Sequence, residues 1–241
     1  MLGESRRWIA SLRFAAALLL VAGPGVRLEL WQFPTGFQLL KYGAYAGGVA
    51  AALALVLLLI PRVRRAGAGR LALALALGAL SIGLPWLQLQ QARSVPPIHD
   101  ISTDTDDPPA FVATLALRTD ARNSADYGGA AIAAQQHQAY PDIQPLLLPV
   151  AGDRAFAAAL DSAEAMGWTI NAAVADEGRI EATATTLWFG FKDDVVIRVR
   201  ADGASTRIDV RSLSRVGQSD VGANAKRIRA YLARLKQSTT A

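Results

Sequence analysis

The residue types best suited to chemistry gather in Arg211-Ser212-Leu213-Ser214-Arg215-Val216-Gly217-Gln218-Ser219-Asp220-Val221-Gly222-Ala223-Asn224. This stretch reads as a strand end, a glycine-bearing loop and a helix start. Ser219 or Asp220 can cap the first free amides of that helix. Those amides, beside Arg211 and Arg215, could hold an anion, because helix N-termini and guanidinium groups both favour negative charge. The competing reading is a cap plus an internal Arg–Asp pair with Asp193 or Asp194. The candidate ligand-binding set is therefore Asp193, Asp194, Arg211, Ser214, Arg215, Asp220 and Asn224.

Two catalytic readings are weaker. Gly217-Gln218-Ser219 resembles a nucleophile elbow only in part, because Val221 stands where that motif needs glycine. His99 and His137 are the only histidines available as bases. The run His99-Asp100-Ile101-Ser102-Thr103-Asp104-Thr105-Asp106-Asp107 offers weak metal ligands in His99, Asp100 and Asp104. It has no calcium-loop spacing, and turn chemistry accounts for its Asp and Thr residues. No metal and no cofactor is expected. The chain has no cysteine, which excludes disulfides, thiolate catalysis and Cys-based metal sites.

The elements that must position these residues follow from periodicity. Asp153 to Met166 reads as a helix stopped by Gly167. Two hairpins follow, Trp168–Val174 with Arg179–Leu187, and Asp194–Ala201 with Thr206–Leu213. Asp220 to Lys236 then alternates at helical spacing. The order α-β-β-β-β-α predicts an α+β domain: a four-stranded antiparallel sheet with two helices on one face. Ile98 to Pro149 is irregular apart from a short helix near Gly129 to Gln138, and is expected to be a long extended segment wrapping the domain.

Period-2 alternation turns Ile180, Ala182, Val195, Ile197, Val199, Ile208 and Val210 toward the helices. Glu181, Thr183, Thr185, Arg198, Arg200, Arg207, Asp209 and Arg211 face away. That second face is either solvated or covered by the acidic stretch. Ala92 to Gly178 carries 4 basic and 12 acidic residues, and Arg179 to Ala241 carries 12 and 6, so the two are electrostatically matched. The connection Trp188-Phe189-Gly190-Phe191-Lys192 either buries under the extended segment or dips into a bilayer surface beside Trp86.

The membrane reading comes from the first ninety residues. The chain of 241 residues is 52% hydrophobic, and the excess lies before Gln91. Apolar runs at 9–26, 37–60 and 71–89 are expected to span a bilayer, with Pro85 kinking or ending the third near Trp86. Residues 1–91 then form the transmembrane region, 92–97 a linker and 98–241 the folded domain. The first run also reads as a signal peptide, although its exit lacks a good cleavage site. Arg62, Arg64, Arg65 and Arg70 join the second and third runs and hold that end in the cytoplasm. The domain is then extracytoplasmic. Met1 to Gln91 hold nine basic and two acidic residues, net +7, and the remainder is net −2. The overall +5 thus orients helices, and nucleic acid is not expected as a partner. No Asp or Glu lies inside the runs, which disfavours a transporter. Small residues at four-residue spacing, Gly43/Gly47, Ala44/Gly48/Ala52 and Ala79/Gly83, allow close helix approach within the chain or to another membrane protein.

Several spaced motifs coincide in order with one family. They are Thr185-x-x-Trp188-Phe189-Gly190-Phe191-x-Asp193-Asp194-Val195 and Arg211-Ser212-x-Ser214-Arg215-x-Gly217-x-x-Asp220-x-Gly222-x-Asn224-x-x-Arg227-Ile228. Pro96 to Asp104 and Ala139-Tyr140-Pro141-Asp142 also fit. From about Pro96 to Leu235 the chain resembles a bacterial membrane-anchored family with the domain of unknown function numbered 1499. The resemblance implies no activity and transfers no catalytic residue. The expected function is a multi-pass protein of the bacterial inner membrane, in contact with the lipid bilayer. Its exported domain would bind a membrane or envelope protein partner or an anionic envelope ligand. The alternative is an envelope lipid or cell-wall hydrolase or transferase using the carboxylates for acid–base work.

Overall fold

A computed structural model describes residues 16–240. Residues 9–15 of the first apolar run lie outside the described residues. The chain divides into two compact units. One holds the described residues up to Gln91 together with Leu187–Gly190, and the other holds Ala92–Thr186 with Phe191 onward.

In the first unit, helix α1 covers Ala16–Arg27, α2 Phe33–Leu58 and α3 Pro61–Arg93. Two of these, α2 and α3, are long and apolar enough to cross a membrane; α1 is shorter. The arginine-rich segment is itself helical, since α3 already begins at Pro61 and bends at Gly67 (φ −153°). Pro85 does not end the helix, which continues to Arg93. Proline removes one backbone bond, and a long apolar helix tolerates that loss when its remaining ladder holds. The helices meet through small residues: Gly43, Gly47 and Ala54 are buried on α2, and Ala74, Gly78 and Ser81 on α3. A methyl at Gly78 would sit 2.6 Å from the Gly47 carbonyl oxygen. Gly47 thus serves packing within the chain, against Gly78 and Ser81, which spacing alone did not single out.

The second unit is built on a six-stranded antiparallel sheet, not a four-stranded one. The predicted meander is present as β3 (Thr169–Val174), β4 (Arg179–Thr185), β5 (Lys192–Asp202) and β6 (Ser205–Ser214). Two three-residue strands, β1 (Asp100–Ser102) and β2 (Leu146–Leu148), pair along the outer edge of β6. Both come from the irregular stretch and are too short to show alternation. A free strand edge recruits them because its amides and carbonyls need partners.

Helices α5 (Gly152–Ala165) and α6 (Ala223–Thr240) cover one face. Beneath them Ile180, Val195, Ile197, Ile208 and Val210 of the sheet are buried, together with Ile228 of α6. Each contributes about 1.5–3 kcal/mol by leaving water. Tyr231 of α6 stacks on Trp168 at 5.2 Å and donates to the Ala159 carbonyl of α5 at 3.0 Å, tying the two helices together. Helix α4 (Gly129–Ala139) is held to β1 by buried Gln136, whose side chain bonds both the amide and the carbonyl of Ser102.

The β3–β4 connection needs a left-handed residue, and Gly178 supplies it with φ +59°. Its α-carbon also lies against β5, so an added methyl would collide with the Val199 carbonyl oxygen. Gly178→Ala should therefore lower unfolding stability by about 2 kcal/mol or more. Chemical denaturation of the full chain in detergent checks this; an unchanged midpoint would contradict the close approach.

Candidate functional site

The far face of the sheet carries charge, and the segment from Asp104 to Ala125 covers it. Three fully buried carboxylates, Glu181, Asp194 and Asp209, stand on its central strands. Buried charge is costly unless every lone pair finds a donor. Each of the three solves this with a different set of donors.

Glu181 accepts three successive backbone amides from the covering segment: Val112 at 3.1 Å, Ala113 at 3.0 Å and Thr114 at 2.8 Å. Arg179 also pairs with it. Burial alone would raise its pKa. The amides of Thr114, Ala113 and Val112 outweigh that and hold the carboxyl below its ordinary value. The bonds shape Ala113–Leu117 into a 3-10 turn, with Val112, Leu115 and Leu117 about half exposed.

Asp194 lies between two guanidinium groups. Arg118 of the covering segment meets it at 2.5 Å, and Arg215 forks onto it at 2.8 and 2.9 Å. Thr183 donates to it at 3.0 Å. Arg215 also donates to the Leu117 carbonyl at 2.7 Å, so the same clamp fixes the end of the turn. Asp209 collects Arg198, Arg200 and Arg207 at 2.9–3.2 Å, and those arginines reach on to Asp104 and Asp107. Arg211 forks onto Asp100 at 2.8 and 2.9 Å and lies over the Phe111 and Tyr127 rings. Burial, then the charge of Asp100, pushes the Tyr127 phenol up to about 12.

The helix-covered face holds a second polar group. Asp193 pairs with Arg227 of α6 at 2.5 Å. Asn224 accepts from Ser212 at 2.8 Å and donates to Ser214 Oγ at 3.0 Å and to the His99 carbonyl at 2.9 Å. Asp220 caps α6, its two oxygens accepting the Gly222 and Asn224 amides at 2.8 and 2.7 Å. Burial raises its pKa in spite of these bonds, and nearby Asp193 adds to the rise.

The seven residues singled out by spacing therefore separate into two groups. Asp193, Ser214, Asp220 and Asn224 gather on the helix side. Asp194 and Arg215 meet on the far side, and Arg211 stands there with Asp100. Neighbouring residues on a strand point to opposite faces, so Asp193 and Asp194 serve different networks. Among the described residues no three His, Asp or Glu side chains converge as a metal site. Asp104 accepts the Asp106 and Asp107 amides, and His99 Nδ1 lies 3.2 Å from the Gln218 carbonyl. Ser219 Oγ accepts the Val221 amide. Residues that spacing missed are Arg118, Arg227 and the Val112–Leu117 turn. Arg118 is one of only four basic residues in the acidic stretch Ala92–Gly178, and nothing in its spacing marks it out from Arg122 nearby.

Residues 100–235, more than half of the chain, match the family described as Protein of unknown function (DUF1499), and the chain belongs to that family. No curated protein matches it.

Glu181 sets an acid limit on the covering segment. Its folded pKa is depressed, so the stability it contributes is complete above the unfolded value near 4.5 and is lost as pH falls below that. Glu181→Gln should cost about 2–4 kcal/mol near neutral pH, because an amide nitrogen would face backbone N–H donors. Its stability should also fall less steeply in acid than that of the parent chain. Urea unfolding at several pH values measures both, and parallel curves would contradict the assignment.

Proposed function

We propose that this family member is a multi-pass protein of the bacterial inner membrane whose folded unit stands outside the cytoplasm and binds a partner protein there. Two apolar helices and the net +7 of the first ninety-one residues support the membrane half of this reading. Arg62, Arg64, Arg65 and Arg70 sit at the start of α3, where α2 ends. With that corner in the cytoplasm, the far end of α3 emerges on the other side, whether or not α1 crosses.

The observation that carries the binding half is the Ala113–Leu117 turn. Val112, Leu115 and Leu117 are 55%, 48% and 50% exposed, yet their backbone is anchored by Glu181 and Arg215. Apolar side chains on a rigidly held turn suit protein recognition, since little ordering entropy is lost on docking. An anionic ligand is the poorer fit. Arg211 and Arg215, the cations first suggested for it, already fork onto Asp100 and Asp194. For a hydrolase or transferase the candidate carboxylates are also engaged: Asp193 pairs with Arg227, Asp194 with Arg118 and Arg215, and both oxygens of Asp220 cap α6.

Two measurements test this. Because the chain has no cysteine, Lys236→Cys gives a single label site. It should react with a membrane-impermeant maleimide in intact spheroplasts, whereas Arg64→Cys should react only after lysis; the reverse pattern would invert the topology. For binding, the full chain carrying Leu115→Ser and Leu117→Ser should lose a defined membrane complex that copurifies with the parent. Its unfolding should stay within about 1 kcal/mol of the parent, as exposed substitutions do. A complex that survives both substitutions would rule out this surface.

A further inference from the structure

The β4–β5 connection departs from the sheet in an unusual way. Thr186 and Phe191 close its neck: the Thr186 amide donates to the Phe191 carbonyl at 2.9 Å, and the Phe191 amide to Thr186 Oγ1 at 2.8 Å. The four residues beyond, Leu187–Gly190, belong to the helical unit. Within that unit the Arg27 guanidinium at the end of α1 donates to the Leu187 carbonyl at 2.8 Å. The Phe189 ring lies 5.1 Å from Phe37 near the start of α2. Gly23 of α1 leaves room for the Trp188 indole, which a methyl there would overlap. Gly190 turns the chain back with φ +68°.

These contacts leave apolar surface facing outward. Leu187 is 86% exposed and Trp188 44%; Phe37, which Phe189 meets, and Leu28 and Leu30 of the α1–α2 connection are also exposed. These residues combine aliphatic, indole and phenyl groups with one arginine, Arg27. That composition matches the boundary between lipid headgroups and acyl chains, where amphipathic rings and snorkelling cations settle.

We infer that Leu187–Gly190 is a second membrane attachment of the folded unit, with Leu187 and Trp188 seated in the phospholipid headgroup–acyl boundary. The occupant is the bilayer itself. The inference rests on the membrane reading proposed above and adds a lipid-contacting site to it. Leu187 and Trp188 supply apolar area, and the Arg27 bond to the Leu187 carbonyl fixes the backbone that presents them.

The test uses the full chain in vesicles of phosphatidylethanolamine and phosphatidylglycerol, with one cysteine at a time carrying an environment-sensitive fluorophore. Leu187→Cys is the probe, Val49→Cys on the exposed side of α2 the membrane control, and Leu147→Cys on exposed β2 the aqueous control. Lipids spin-labelled near the headgroup should quench most of the emission at 187 and shift it to the blue, and leave position 147 unquenched. Emission at 187 that behaves like position 147, while Val49→Cys is quenched by chain-labelled lipid, would overturn the attachment and leave the spans intact. Absence of quenching at position 49 would overturn the membrane reading and this inference together.

Discussion

The folded unit depends on neutralising carboxylates that its own sheet buries. Glu181, Asp194 and Asp209 lie on central strands with no solvent access. None of them can be left without donors at that depth, because an isolated buried charge costs far more than a folded domain has to spare. The covering segment exists in its observed path because it brings those donors: three amides to Glu181 and the Arg118 guanidinium to Asp194. The Asp209 group works in the opposite sense, with sheet arginines holding Asp104 and Asp107 of the segment.

That requirement explains why a long irregular stretch is ordered with little regular structure of its own. Its two short strands lean on β6, its turn hangs from Glu181, and α4 is locked by Gln136. It also shapes the outer surface. Once the amides of Val112 to Thr114 point inward at a carboxylate, apolar side chains of that turn are left facing solvent. The exposed apolar turn is thus a by-product of the interaction that closes the fold. Arg211 and Arg215 are engaged by Asp100 and Asp194 in the same closure.

Much of the scaffold is legible in the sequence. The four-strand meander and its two flanking helices announced themselves through period-2 and period-3.6 alternation, with Gly167 and Gly178 as punctuation. β1 and β2 did not, since three residues carry no period. The extent of α3 differs from its local signals: Pro85 reads as a kink or an end and the arginines as a loop, yet helix runs through Pro85 to Arg93 and, before the bend at Gly67, already holds Arg62, Arg64 and Arg65. For the site, adjacency groups Asp193 with Asp194, whereas a strand must send them to opposite faces, where they meet Arg227 and Arg215.

By itself the sequence determined that charge is segregated, basic before Gln91 and acidic in the covering stretch, and that apolar runs precede a sheet with one oily and one charged face. Those properties are local, set by composition and short-range spacing. Only the tertiary structure decided which carboxylate meets which donor. Arg118 and Asp194 are seventy-six positions apart, and Glu181 and Thr114 sixty-seven. No period links such positions. Their pairing is chosen by the depth of burial that the sheet imposes and by the reach of the segment laid across it.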